Sequence, residues 1–179
     1  MRRRLLAVMM TVAAGTLPAA ADGPDRASLD AAFATYAEAM GTQDFEGVSA
    51  ALPPTLLDTF RAEMGREDLD DDAFRAMLAE MSSEMDGPVR ITEVTLFEDG
   101  KGFVPAEGED PAWGIVTART AMEVEGQGAQ TLLIPTLAVH EDGAWGFHAI
   151  QGPVDVARAR AAYPMLEKER FPSPLPVFD

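Results

Sequence analysis

The pattern of apolar and polar positions changes its period near residue 89. Between residues 28 and 85, apolar side chains recur every three or four positions, as on one face of an amphipathic helix. From residue 89 to residue 151 they alternate with polar ones, as in a half-buried strand. Strands joined by such short connections must run antiparallel. Helices followed by antiparallel strands predict an α+β domain in which N-terminal helices pack on a curved antiparallel sheet.

Local signals mark the ends of the predicted helices. Ser28 is a good N-cap for a helix that Gly41 ends. Asp44 caps a second short helix, residues 45–52, which two prolines stop. Three further helices follow the same rules: residues 55–64, 70–85 and 153–163.

The predicted strands cover residues 89–97, 101–105, 113–125, 130–140 and 144–151. Asp-Gly pairs at residues 99–100 and 142–143 predict tight turns. With a two-residue turn, His140 lies opposite Trp145, and both faces of that hairpin are apolar. One face should therefore pack on the helices, and a helix, the C-terminal tail or a second subunit should cover the other.

The first 21 residues have the composition of an export signal. Three arginines at positions 2–4 precede an apolar run, residues 5–17, and small residues lead up to Ala21. The run is too short to remain as a membrane anchor. Cleavage after Ala21 predicts a periplasmic or secreted protein. Residues 22–163 then form one domain, and residues 164–179 form an extended, proline-rich tail.

Charge and cysteine content exclude several classes of function. The mature chain carries 11 basic residues against 30 acidic ones, a net charge of −19, which repels nucleic acid and anionic lipid. The absence of cysteine excludes disulfides, thiolate nucleophiles, iron–sulfur clusters, cysteine-bound zinc and lipidated cysteine. Four basic residues concentrate near the C-terminus, where the domain's own acids or an acidic partner would pair with them: Arg158, Arg160, Lys168 and Arg170.

Two motifs carry a resemblance to a known family. Gly-Thr-Gln-Asp-Phe-Glu-Gly-Val (residues 41–48) joins two helices, and Glu-Asp-Gly-Ala-Trp-Gly-Phe (residues 141–147) lies near the end of the sheet. Over residues 28–151 this layout resembles the NTF2-like superfamily. The resemblance implies a cone-shaped α+β domain with an apolar pocket and a homodimer through the sheet. It implies no single reaction, because members include isomerases, dehydratases, binding modules and assembly domains.

Few residues are candidates for acid–base chemistry. His140 and His148 project from opposite faces of the hairpin, so they do not share a metal. His148 is a structural histidine or a general base in a pocket. Tyr36 lies among core positions of the first helix, where it is a core residue or donates its hydroxyl to a developing oxyanion. Asp44 is an N-cap or an acid–base group.

Two further patterns resemble metal sites. Alternate acids at positions 68, 70 and 72 start like a calcium loop, but Ala73 and Ala79 stand where that loop needs Gly and Glu. A helix start rich in carboxylates explains them better. Methionines 77, 81 and 85 form a thioether ladder that suits Cu(I), although core packing is the better explanation.

These observations favour an exported, non-catalytic domain that binds a small apolar ligand or a protein partner. The alternative is a small lyase or isomerase whose pocket uses His148 or Asp44 with Tyr36. A third hypothesis is Cu(I) handling by the methionine ladder. No Gly-rich phosphate loop or nucleophile elbow is present, so no cofactor is predicted.

Overall fold

The helices come first and the sheet second, as the change of period predicts. The computed structural model describes residues 24–84, 89–108 and 110–177, and the predicted export signal, residues 1–21, lies outside them. In the described residues, four helices precede a strongly curled antiparallel sheet that forms a half-barrel, and a fifth helix follows it. The predicted α+β class, with helices and a curved antiparallel sheet, is confirmed.

The first helix, α1 (Arg26–Thr42), begins earlier than predicted, because Asp25 rather than Ser28 is its N-cap. The Asp25 carboxylate accepts a hydrogen bond from the backbone N–H of Ser28 at 2.7 Å. The Ser28 hydroxyl accepts one from the backbone N–H of Asp25 at 3.0 Å. This reciprocal capping box satisfies two backbone groups at once, and it fixes the helix start at Arg26.

The remaining helices are α2 (Phe45–Ala50), α3 (Pro54–Glu63), α4 (Asp71–Glu84) and, after the sheet, α5 (Pro153–Ala162). Asp44 caps α2 as predicted, since its carboxylate accepts a hydrogen bond from the backbone N–H of Gly47 at 3.0 Å. Arg75 of α4 donates hydrogen bonds to the carbonyls of Ser49 and Leu52. These carbonyls lie at the C-terminal end of α2, where backbone acceptors lack partners within the helix.

The strands are β1 (Val89–Val104), β2 (Ala112–Val124), β3 (Gly128–Glu141), β4 (Ala144–Ala149) and β5 (Leu175–Pro176). They run antiparallel in the order β1-β2-β3-β4, and β5 also pairs with β3. The turn predicted at residues 99–100 is wrong, because both halves of β1 pair with β2. Phe97 lies opposite Thr117, whereas Gly102 lies opposite Ile115. The three extra β1 residues shift the register, and β1 continues along β2 beyond them.

The hairpin between β3 and β4 has the predicted two-residue turn. Asp142 and Gly143 both have positive φ, 51° and 82°, as a type I′ turn requires. His140 therefore lies opposite Trp145, and the register prediction is confirmed.

Different helices cover the two faces of the sheet. The helix α1 contacts both edge strands, β1 and β4, so the sheet curls around it. This α1 face buries a cluster that includes Leu29, Phe33, Tyr36, Val116, Ala138 and Phe147. The opposite face, here the α5 face, packs on α3, α5 and a 3-10 helix (Pro164–Leu166), with a cluster that includes Leu56, Trp113, Leu137, Val139, Ile150 and Leu166.

The chain's own C-terminal segment thus covers the second apolar face of the hairpin. Leu166 is fully buried, and Phe171 packs against the same cluster, so the core continues past Tyr163. Covering this face does not require a second subunit.

Candidate functional site

The α1 face is not filled along its whole length. Beside the C-terminal half of α1, a cavity of about 460 Å³ lies between the helix and the sheet. We call it the sheet cavity. Its lining is Tyr36, Met40, Val89, Ile91, Val94, Ala118, Thr120, Met122, Leu132, Ile134, Thr136, Ala149, Gln151 and Pro174.

The alternating pattern of β2 builds one wall of the sheet cavity. Ala118, Thr120 and Met122 are buried on the α1 face, and Arg119 between them is exposed on the other face. The prediction that these alternate positions share a face is confirmed. Ala118 and, in β4, Ala149 are small, so they leave volume that larger side chains would occupy.

The wall of the sheet cavity contains no charged side chain among the described residues that line it. Its polar members are Tyr36, Thr120, Thr136 and Gln151. Burial raises the pKa of Tyr36 to about 12, so its hydroxyl keeps the proton at neutral pH. The wall therefore offers hydrogen bonds, but it offers no side chain that exchanges a proton near pH 7.

The C-terminal tail closes one side of the sheet cavity. Pro174 lines it, and the next two residues, β5 (Leu175–Pro176), pair with β3 beside Leu132. The backbone N–H of Val177 donates a hydrogen bond to the carbonyl of Thr131 at 2.9 Å. This end of the tail is extended, as predicted, and it is attached to the sheet.

Of the residues proposed for catalysis, Tyr36 and Asp44 line a common groove, whereas His148 lies apart from both. Tyr36 lines the sheet cavity and also an open groove of about 580 Å³, which Asp44 lines as well. The Asp44 carboxylate already caps α2. His148 lies opposite Leu137 on the α5 face, so the sheet separates it from Tyr36.

The His148 side chain is buried among side chains of α3 and α5. Its Nε2 atom has no hydrogen-bond partner within the described residues and lies 3.8 Å from an Asp155 carboxylate oxygen. Burial lowers the pKa of His148 to about 4, while Asp155 opposes this shift and Arg158 adds to it. Phe60 packs edge-on against the imidazole, with ring centroids 5.6 Å apart.

Arg158 pairs with Asp155 (3.2 Å) and Glu63 (2.7 Å), so the predicted pairing with the domain's own acids is confirmed for this residue.

The histidines and the acidic run do not form a metal site. His140 and His148 project from opposite faces, as predicted, and His140 packs edge-on against Trp145. The Asp70 carboxylate accepts a hydrogen bond from the backbone N–H of Ala73 at 2.9 Å, which supports its assignment to a helix start. Within residues 24–84, 89–108 and 110–177, no group of three or more metal-ligating side chains is arranged around one point.

The methionine ladder is only partly described. Met77 is half-buried, and its sulfur accepts a hydrogen bond from the guanidinium of Arg66 at 3.1 Å. Met81 is 39% exposed, so the expectation that it fills the core is wrong. The helix α4 packs chiefly against α2 rather than against the sheet, which leaves this side in solvent. Met85 lies outside the described residues.

Comparisons with known proteins do not assign the chain to a family. No protein-family model matches the chain, no curated protein matches it, and no solved structure matches it. The resemblance to the NTF2-like superfamily therefore stays a prediction. Within the described part of the chain, no helix combines the length and apolar character that crossing a bilayer requires.

The sequence predicts the β2 wall of the sheet cavity, but it does not predict that Gln151 and Pro174 also line it. Thr120 is visible as a polar residue on an otherwise apolar strand face. Gln151 and Pro174 reach the cavity only because the chain turns into α5 and later returns to β3. No local pattern signals that return.

Proposed function

We propose that this chain is an exported, non-catalytic domain that binds a small apolar ligand in the sheet cavity. The observation that carries the proposal is the cavity itself, about 460 Å³, with ten apolar lining residues and no charged one. Small-molecule sites are typically clefts of roughly 300–1,000 Å³ with apolar walls and a few polar groups.

The wall of the sheet cavity is built from packed elements, which favours binding. Tyr36 stacks on Phe147 with ring centroids 5.1 Å apart, and the cavity wall otherwise consists largely of strands. A preformed site avoids the entropic cost of ordering a loop around the ligand. Each methylene group that leaves water then contributes about 0.8 kcal/mol to binding.

The same geometry favours binding over the lyase or isomerase alternative. General acid–base catalysis needs a group whose pKa lies near the working pH and within reach of the substrate. Tyr36 has a pKa of about 12, and His148 lies on the other face of the sheet. The Asp44 carboxylate is outside the lining of the sheet cavity and caps α2. A partly enclosed concave site also suits a small molecule better than a protein partner.

Export is the second part of the proposal, and it rests on the composition of residues 1–21. Mass spectrometry of the exported protein should find Asp22 at the N-terminus. A retained signal segment would contradict this part without affecting the cavity.

Titration with N-phenyl-1-naphthylamine, which fluoresces more strongly in apolar surroundings, tests binding in the sheet cavity. The purified protein should raise its fluorescence saturably. Ala118→Leu adds an isopropyl group to the cavity wall and should weaken binding at least about tenfold. Ala129→Leu makes the same change at an exposed position of β3 and should leave binding unchanged. Equal affinities for the two variants would reject the sheet cavity as the site.

A further inference from the structure

Two hydroxyl groups in the wall of the sheet cavity lack hydrogen-bond partners. Neither the Tyr36 hydroxyl nor the Thr120 hydroxyl bonds to another group within the described residues, although both side chains are buried. Neither hydroxyl oxygen is fully enclosed, because the buried side-chain atoms without a partner in the described residues are Arg61 Nε and His148 Nε2. Water or a ligand atom that enters the cavity can therefore supply the partner.

No side chain in the lining would balance a charged ligand. The described lining residues contain no Lys, Arg, Asp, Glu or His. An ion that enters an apolar cavity loses its hydration, and that loss is large unless an opposite charge replaces the water. The net charge of −19 on the mature chain adds a long-range repulsion for anions.

We infer that the sheet cavity selects an uncharged ligand with an apolar body and one hydrogen-bond acceptor, held by Tyr36 and Thr120. This inference rests on the proposed function and names the chemical class of its ligand. Suitable acceptors are the oxygen atoms of a ketone, an ester, an ether or an alcohol.

The two hydroxyl groups come from different elements of the wall. Tyr36 lies on α1, and Thr120 lies on β2 between Val94 of β1 and Leu132 of β3. Because the phenol stays protonated at neutral pH, it has a hydrogen to donate to an acceptor atom of the ligand. Tyr36 and Thr120 are therefore specificity-determining residues for the acceptor.

A matched series of naphthalenes tests the inference by isothermal titration calorimetry at pH 7. The series has 2-acetylnaphthalene (a neutral acceptor), 2-ethylnaphthalene (an apolar analogue), 2-naphthoate (an anion) and 2-naphthylmethylammonium (a cation). We expect 2-acetylnaphthalene to bind about two- to tenfold more tightly than 2-ethylnaphthalene, because it gains a hydrogen bond. Both ions should bind at least about tenfold more weakly than 2-acetylnaphthalene.

Two conservative variants test whether the two hydroxyl groups cause the preference for 2-acetylnaphthalene over 2-ethylnaphthalene. Tyr36→Phe keeps the ring that stacks on Phe147, and Thr120→Val keeps the shape of the side chain. Each should lower the affinity for 2-acetylnaphthalene about two- to tenfold and leave the affinity for 2-ethylnaphthalene unchanged. Thermal unfolding checks that each variant is folded, and either variant alone suffices for the test.

The outcomes separate this inference from the proposed function. If the neutral compounds bind and Ala118→Leu blocks them, the cavity is the site. Equal or tighter binding of either ion, or variants that retain the preference for 2-acetylnaphthalene, would then overturn the inference alone. If no compound in the series binds and N-phenyl-1-naphthylamine is not bound either, both the proposed function and the inference fail.

Discussion

The two faces of the sheet differ in how completely they are filled. On the α5 face, Leu137, Val139 and Leu166 are fully buried against α3, α5 and the 3-10 helix. On the α1 face, Phe33 and Phe147 fill one end, whereas the other end contains the sheet cavity. The strands are the same for both faces, so the difference comes from what covers them.

Element lengths contribute to the hollow on the α1 face. The helix α1 has 17 residues and is about 25 Å long at 1.5 Å per residue. The strand β1 has 16 residues, and even with its register shift it is longer than α1, because a strand extends about 3.3 Å per residue. One helix therefore leaves part of the curled face uncovered, whereas two helices and the chain after Tyr163 share the α5 face. The short cover and the small side chains of Ala118 and Ala149 together leave the hollow.

The largest predicted effect compares two leucines of β3 that lie on opposite faces. Leu137→Ala on the α5 face should lower the free energy of unfolding by about 2–5 kcal/mol, because it opens a void in a filled core. Leu132→Ala in the wall of the sheet cavity should cost only about 1 kcal/mol, because Leu132 is half-buried beside existing space. Urea unfolding followed by circular dichroism measures both. Equal losses would mean that the sheet cavity is filled in solution.

Close packing on the α5 face predicts a second large effect. A Cβ atom at Gly146 would lie 2.7 Å from the Cα and N atoms of Pro53, which are backbone atoms at the start of α3. Gly146→Ala should therefore lower stability by about 1–3 kcal/mol. The matched control is Gly41→Ala near the end of α1, where a Cβ atom meets nothing within 4 Å. It should be neutral or stabilise the helix by up to about 1 kcal/mol. Thermal unfolding of both variants checks the contrast.

A third prediction uses the histidine buried on the α5 face. The pKa of His148 is about 4 in the folded chain and about 6.5 when unfolded, so the unfolded state binds more protons between these values. The stability contributed by neutral His148 is complete above about pH 6.5 and is lost as the pH falls toward 4. By pH 5 the loss should be on the order of 2 kcal/mol.

His148→Leu should remove this pH dependence between pH 7 and pH 5, as measured by urea unfolding at each pH. His140→Leu, in the same hairpin but on the opposite face, should retain it, because His148 is intact. An unchanged slope in His148→Leu would show that other groups cause the acid sensitivity. Binding of 2-acetylnaphthalene should stay constant over the same range, because no side chain of the sheet cavity titrates there.

The sequence predicts the parts of this fold that depend on local patterns. The β2 alternation, the Asp44 cap and the Asp142-Gly143 turn all depend on neighbouring residues, and the structure contains all three. The turn predicted at residues 99–100 is wrong because a long partner strand pairs with β1 on both sides of this Asp-Gly pair. Pairing with β2, which is distant in sequence, decides whether the chain reverses or continues at these residues.

The candidate site was less accessible to sequence reasoning for the same reason. Tyr36 stands out as a polar group on an apolar helix face, but Thr120, which lines the same cavity, comes from another element. The hairpin register correctly separates His140 from His148, yet it does not show which helix covers each face. Only the path of the chain after residue 151 buries His148 under α5 and brings Pro174 to the sheet cavity.

The smallest predicted effect concerns the bond that holds α1 to the hairpin. The indole N–H of Trp145 donates a hydrogen bond to the Ser28 hydroxyl at 3.0 Å, and the same hydroxyl completes the capping box of α1. Ser28→Ala removes both and should lower stability by about 1 kcal/mol. Ser83→Ala, which removes only a hydrogen bond to the carbonyl of Glu80 on the surface of α4, should change stability by less than about 0.5 kcal/mol. Chemical unfolding of the two variants decides whether this bond helps to hold α1 on its face. Equal effects would mean that apolar contacts alone hold α1 against the half-filled face.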